Sequence, residues 1–96
     1  MYRGYVLVRD ADHPNSWKNG WVYEHIKVMS DMIGRALLPH ENVHHKNGNR
    51  ADNNPLNLEL WSTSQPPGQR VEDKAAWAKE ILALYEPEAL AKDGAP

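Results

Sequence analysis

Two adjacent histidines, His44 and His45, followed by a polar run and then Asn57, carry the most chemistry in this sequence. They close Asn42-Val43-His44-His45, which reads as a short strand. Side chains on a strand alternate between faces, so the two imidazoles cannot do the same job. One can face a helix after the hairpin and hold a metal ion, while the other faces substrate. An imidazole, with an ordinary pKa near ~6.5, suits a base at neutral pH. The Asn57 amide both donates and accepts, so it can tie the loop to the next strand and orient the base. Asp52, Asn53 and Asn54 read as a turn closed by side chain–backbone bonds. Lys46, Arg50 and Arg70 flank this region as candidate phosphate contacts, with scattered surface charge as the alternative for each.

The elements that position these residues can be read in chain order. Gly4-Tyr5-Val6-Leu7-Val8-Arg9 suits a strand, and Trp21-Val22-Tyr23 suits its return after a polar loop ending in Asn19-Gly20. From Glu24 the period changes: Ile26, Met29, Ile33 and Leu37 predict an amphipathic helix of about three turns. Gly34 weakens its end, and Pro39 bars any helical continuation. Asn47-Gly48 alone would suggest a tight hairpin, but the residues up to Pro55 are poor strand formers and predict a wide loop. Leu58-Glu59-Leu60-Trp61 alternates and predicts the partner strand. Pro66-Pro67-Gly68 interrupts the chain before a helix over about 70–85. Val71, Ala75, Ala78, Leu82 and Tyr85 are its expected buried stripe. His25 reads as a packing residue at the start of the first helix, and His40 as a solvated loop histidine. Trp21, Trp61 and Trp77 are expected in the core. Trp17, beside Lys18, either stacks on a base or covers the core edge.

Composition narrows the class. Ninety-six residues, 41% hydrophobic and 25% charged, describe one small globular domain. With no cysteine, disulfides and thiolate metal sites are excluded. The sequence has no apolar run of membrane-spanning length and no signal-peptide pattern at its start, so a cytoplasmic setting is expected. The net charge is −2, unlike most nucleic-acid binders. The acidity is uneven: residues 71–96 hold three Lys/Arg against six Asp/Glu, whereas residues 1–70 hold eight against seven. Attraction to phosphate would therefore be weak without a bound cation or a partner protein.

The run Val43-His44-His45-Lys46-Asn47-Gly48-Asn49, through Asp52-Asn53-Asn54-Pro55 to Asn57-Leu58-Glu59-Leu60, resembles the HNH nuclease motif. Upstream, Glu24-His25-Ile26-Lys27-Val28-Met29 and Gly34-Arg35-Ala36-Leu37-Leu38 look like the lead-in helix of phage-type members. Gln65 to Asp73 with Trp77 is similar to actinobacterial phage versions, so the resemblance covers residues 4 to about 85.

The resemblance implies an α+β single domain over residues 1–86, with a flexible tail over 87–96. Its core would be a ββα-metal unit, a hairpin over 42–61 followed by a helix, preceded by an N-terminal β-hairpin and helix. It further implies hydrolysis of DNA phosphodiesters to a 5′ phosphate and a 3′ hydroxyl. His45 would be the base, Asn57 its orienting partner and His44 a metal ligand. The metal would polarise the scissile phosphate and stabilise the departing 3′ oxygen. The family pattern places a His or Asn on the helix eight or nine residues beyond the middle asparagine, but here Gln65 and Pro66 stand there. A Gln65 carbonyl beside His44 favours Mg2+ or Mn2+, with Zn2+ or Ni2+ as alternatives. Gln65 as a capping residue, and Gln69 as the ligand, are competing readings. The implied setting is a phage-encoded nicking enzyme, monomer or homodimer, acting on DNA, with phage packaging proteins as candidate partners. The alternative is an HNH-fold DNA- or protein-binding module without catalysis.

Overall fold

The computed structural model describes residues 3–93. β1 (Leu7–Arg9) and β2 (Trp21–Tyr23) form an antiparallel hairpin with Val8 opposite Val22. The Asp10–Gly20 loop is closed where the Asp10 N–H donates to the Gly20 carbonyl at 2.9 Å. α1 (Glu24–Ile33) follows β2 without a break, and the Glu24 N–H donates to the Val6 carbonyl at 2.9 Å. The helix ends at Gly34, whose φ of 76° is the left-handed conformation that a glycine accepts without a Cβ clash.

The connector to the next strand is fixed by polar contacts as much as by packing. Asn15 grips Leu37 through both its amide groups, at 2.8 and 3.0 Å. Arg35 holds Glu41 in a fork, Nη1 to Oε1 at 2.7 Å and Nη2 to Oε2 at 2.8 Å. The Leu38 N–H donates to the same carboxylate, so a Glu41 that is only 5% exposed is nonetheless compensated.

β3 (Glu41–His45) and β4 (Leu58–Ser62) form the second antiparallel hairpin, with His44 opposite Glu59 and His45 opposite Leu58. The alternation is clean. Val43, His45, Leu58 and Leu60 turn to the core side, while Asn42, His44, Glu59 and Trp61 are exposed. Met29, Leu37 and Leu58 form the buried cluster, flanked by Ile26, Val28, Ile33, Val43 and Leu60. The wide loop between the strands ends in a 3₁₀ turn, Pro55–Asn57, capped by the Asn54 side chain accepting from the Leu56 N–H. The α+β order of hairpin, helix, hairpin and helix is the one the sequence predicts.

The chain divides into two compact units, residues 1–63 and 64–96, where one domain over 1–86 is expected. The second unit contains α2 (Val71–Tyr85) and α3 (Pro87–Asp93). Residues 87–93, expected as a flexible tail, are thus helical. Pro87 is pre-set for a first helical position, and Ala, Leu, Glu and Lys propagate well.

The buried stripe predicted for α2 is also corrected. Val71 is 84% exposed, and Ala75 and Ala78 are exposed, whereas Trp77, Ile81, Leu82, Leu84 and Tyr85 are half-buried. The large Trp77 side chain outweighs two alanines in setting which face turns inward. Trp21 and Trp61, expected in the core, are 38% and 51% exposed. Strand alternation sends Trp61 to the outer face with His44. Among the described residues no helix is long and apolar enough to cross a membrane.

Candidate active site

The second hairpin separates its two histidines as the strand period requires. His44 lies on the outer face, its ring stacked on Trp61 at 4.5 Å with 17° between planes. Trp61 in turn donates from Nε1 to the Glu59 carboxylate. Because Glu59 pairs directly with His44 across the hairpin, one tryptophan braces both side chains.

His45 lies on the inner face and is 7% exposed. It closes an aromatic cluster in which its ring is 5.0 Å from His25 and 6.2 Å from Tyr5. His45 Nε2 is 2.7 Å from Asn53 Oδ1, and Asn53 Nδ2 donates to Glu24 Oε1 at 2.9 Å. His25, beside it, has its imidazole pushed down to about 4, first by burial and second by the neighbouring His45.

The two histidines wall a hollow of about 230 Å³ that Tyr5, Val43, Gly48 and Arg50 complete. The Arg50 guanidinium lies 4.9 Å from the centre of the Tyr5 ring and donates to the Arg3 carbonyl at 2.9 Å, so a cation is held at the rim. A larger depression, about 360 Å³, is lined by His13, Asp31 and Arg35 among others and contains neither motif histidine. The smaller hollow is the one with matched chemistry.

Asn57 braces the loop. It receives the Asn47 N–H at 3.1 Å and donates to Asn47 Oδ1 at 3.0 Å and to the Asp52 carbonyl at 2.8 Å. It does not bond His45, so any orientation it gives the base passes through the loop. Lys46 is exposed beside the site. Gln65 and Arg70 belong to the second unit. Gln65 is exposed in an irregular stretch that ends only at Val71, so it is not helix-borne, and neither is Gln69. The reason is local: Pro66 and Pro67 provide no N–H and hold the residues before them extended. Arg70 is exposed and paired with Glu72. Trp17 is 47% exposed and meets Tyr23 edge-on, which places it at the rim of the first hairpin.

Residues 22–66 match the family model described as HNH endonuclease. This segment resembles an HNH module. Neither the curated proteins nor the solved structures compared with the chain include a match. HNH endonucleases are nucleases that act on DNA and generally use a divalent metal ion. Among the described residues no group of three or more His, Cys, Asp or Glu is placed to hold such an ion. The outer face of the HNH hairpin offers one imidazole, His44, with the Glu59 carboxylate opposite. One nitrogen and one carboxylate suit part of a shell, leaving positions for water and phosphate oxygens.

Two residues of this site are not anticipated from the sequence. Asn53 reads as one member of an Asp-Asn-Asn turn, and its neighbours do behave so: Asp52 accepts from the Asn54 N–H and Asn54 from the Leu56 N–H. Asn53 alone turns inward. Glu24 reads only as the start of the first helix, and it is also the far end of the His45 chain. The available signal was its position, one residue before a buried histidine in the first turn of α1.

Proposed function

We propose that this chain is a metal-dependent DNA endonuclease in which His45 is the general base and His44 a metal ligand. The observation that carries the reading is a histidine held by hydrogen bonding at the wall of a hollow that a second histidine and an arginine share. In this reading His45 takes a proton from water, and the water oxygen bonds to phosphorus. The bond to the 3′ oxygen breaks, its electron pair stays on that oxygen, and a proton from solvent completes the 3′ hydroxyl. A divalent ion, when bound, would stabilise charge on the phosphate and the departing oxygen. Arg50 and Lys46 contribute positive charge where the backbone approaches.

One hairpin addresses one strand, so a single binding event gives a nick, and a double-strand break needs two events or two copies. The similarity of the flanking segments to phage-type members supports a phage-encoded enzyme working in the host cytoplasm. Work beside packaging proteins is the corresponding setting. The test is conversion of supercoiled plasmid to nicked circle with Mg2+, with Mn2+ and with EDTA. Nicking that requires the ion and disappears in His45→Ala supports the proposal. Metal-dependent nicking that survives His45→Ala removes His45 from the role, and no nicking under any condition removes the enzyme.

A further inference from the structure

We propose that Glu24 and Asn53 are positioning residues that fix the tautomer of His45, keeping its proton on Nε2 and leaving the Nδ1 lone pair as the acceptor. This rests on the reading of His45 as the base. The argument begins at Glu24, because a carboxylate can only accept hydrogen bonds. The Asn53 group 2.9 Å from it must therefore be the NH2 end of the amide. That choice, normally ambiguous for an asparagine, fixes the other end: Oδ1 faces His45 Nε2 at 2.7 Å. An amide oxygen only accepts, so Nε2 must carry the hydrogen. In a neutral imidazole the second nitrogen then holds the lone pair.

Burial bears on the other nitrogen. His25 Nδ1 is the one side-chain nitrogen or oxygen among the described residues that is both sealed from solvent and unpartnered. His45 Nδ1 makes no hydrogen bond among those residues either, so it must keep a path to solvent, although the residue as a whole is only 7% exposed. The nitrogen that is free is thus also the one water can reach. When Nδ1 takes a proton, the Nε2–H stays on Asn53 and the ring cannot swing away from the hollow. Glu24 stands at the end of the chain, where its carboxylate holds the intervening amide in one orientation.

The two elements that supply this chain are set independently. Glu24 is fixed as the first residue of α1, and Asn53 is carried by the loop that Asn57 braces. The alternative is that Asn53 merely anchors the loop to α1. That role would need no particular tautomer, and so the two separate experimentally.

The first measurement is the pair of His45 ring 15N shifts in the metal-free full chain, recorded where the imidazole is neutral. The expected result is a protonated Nε2 and an unprotonated Nδ1. The opposite assignment, or an even mixture, overturns the proposal without any variant having to fold. In Asn53→Ala the two tautomers should mix. kcat for plasmid nicking should then fall roughly 10- to 100-fold with KM little changed, the scale on which a functional imidazole loses its hydrogen-bond partner. Glu24→Ala keeps the amide but frees it to flip, and it should shift the tautomer in the same direction. The double variant Glu24→Gln/Asn53→Asp again places an acceptor against Nε2 and should restore the wild-type shifts. If activity falls in Asn53→Ala while the shifts stay put, Asn53 is a loop anchor and the proposal fails. If the shifts respond as expected but His45→Ala still nicks, it is the base assignment that fails, and with it any catalytic meaning of the chain.

Discussion

At the scale of single residues, His45 is the decisive test of the proposed chemistry. His45→Ala should lower nicking by at least ~10²-fold, the lower bound for removing a general base, with an unchanged circular dichroism spectrum. A loss under tenfold would place the base elsewhere. His25 yields a second expectation, one that concerns stability. Burial favours its neutral form and holds its imidazole down at about 4 in the folded chain, whereas the unfolded chain takes up that proton near ~6.5. A lowered folded value means that the stabilisation is complete above pH ~6.5 and is lost as pH falls from there toward about 4. The loss is on the order of 3 kcal/mol. Urea unfolding at pH 7.5 and 4.5 should show it, and His25→Leu should flatten the dependence. An equal slope in that variant would assign the acid sensitivity to the carboxylates.

At the scale of elements, the buried fork between Arg35 and Glu41 ties the end of α1 to the start of β3. Arg35→Ala takes the cation away from a buried carboxylate and should cost about 3–5 kcal/mol in urea unfolding. A cost under 1 kcal/mol would mean that water reaches Glu41 freely. The elements themselves were largely legible: hydrophobic period, Asn19-Gly20, Gly34 and the prolines marked both hairpins, both long helices and the wide loop. What periodicity could not show was partnership across distance. Glu41 lies just outside the strand expected from Asn42, and nothing in its spacing points to Arg35. Asn53 reads as turn chemistry until Glu24, 29 residues away, claims its amide. The tryptophans misled for a related reason. Size and hydrophobicity argue for the core, but strand parity decides the face, and at Trp61 parity prevailed. The histidine pair was legible as a pair with divided roles, whereas the inward turn of His45 required the register of the hairpin.

At the scale of the whole chain, the buried apolar residues among those described, Val22, Met29, Leu37 and Leu58, all fall within residues 1–63. A chain ending at Thr63 should therefore keep cooperative urea unfolding and dispersed amide signals for the 41–62 hairpin, although a unit this short is only marginally stable. A collapsed spectrum would show that the second unit is needed for the first to fold. Charge acts at the same scale. With a net charge of −2, binding to random duplex in EDTA at physiological salt should be weaker than a Kd of ~1 µM and should weaken further with added salt. Submicromolar binding there would mean that local basic patches outweigh the net acidity.

The fork at Glu41 also decides which of two identical neighbours becomes the inward histidine. Glu41 and His45 share the core face of β3 because they stand four positions apart, an even offset. Arg35 and the Leu38 amide clamp Glu41, and so they set the parity of everything downstream on that strand. Seen as a constraint on length, the chain divides at this clamp. An added residue in the connector before Glu41 can be absorbed as slack. One added residue between Glu41 and His44 would exchange the faces of the two histidines, and only even changes there leave the site as it is.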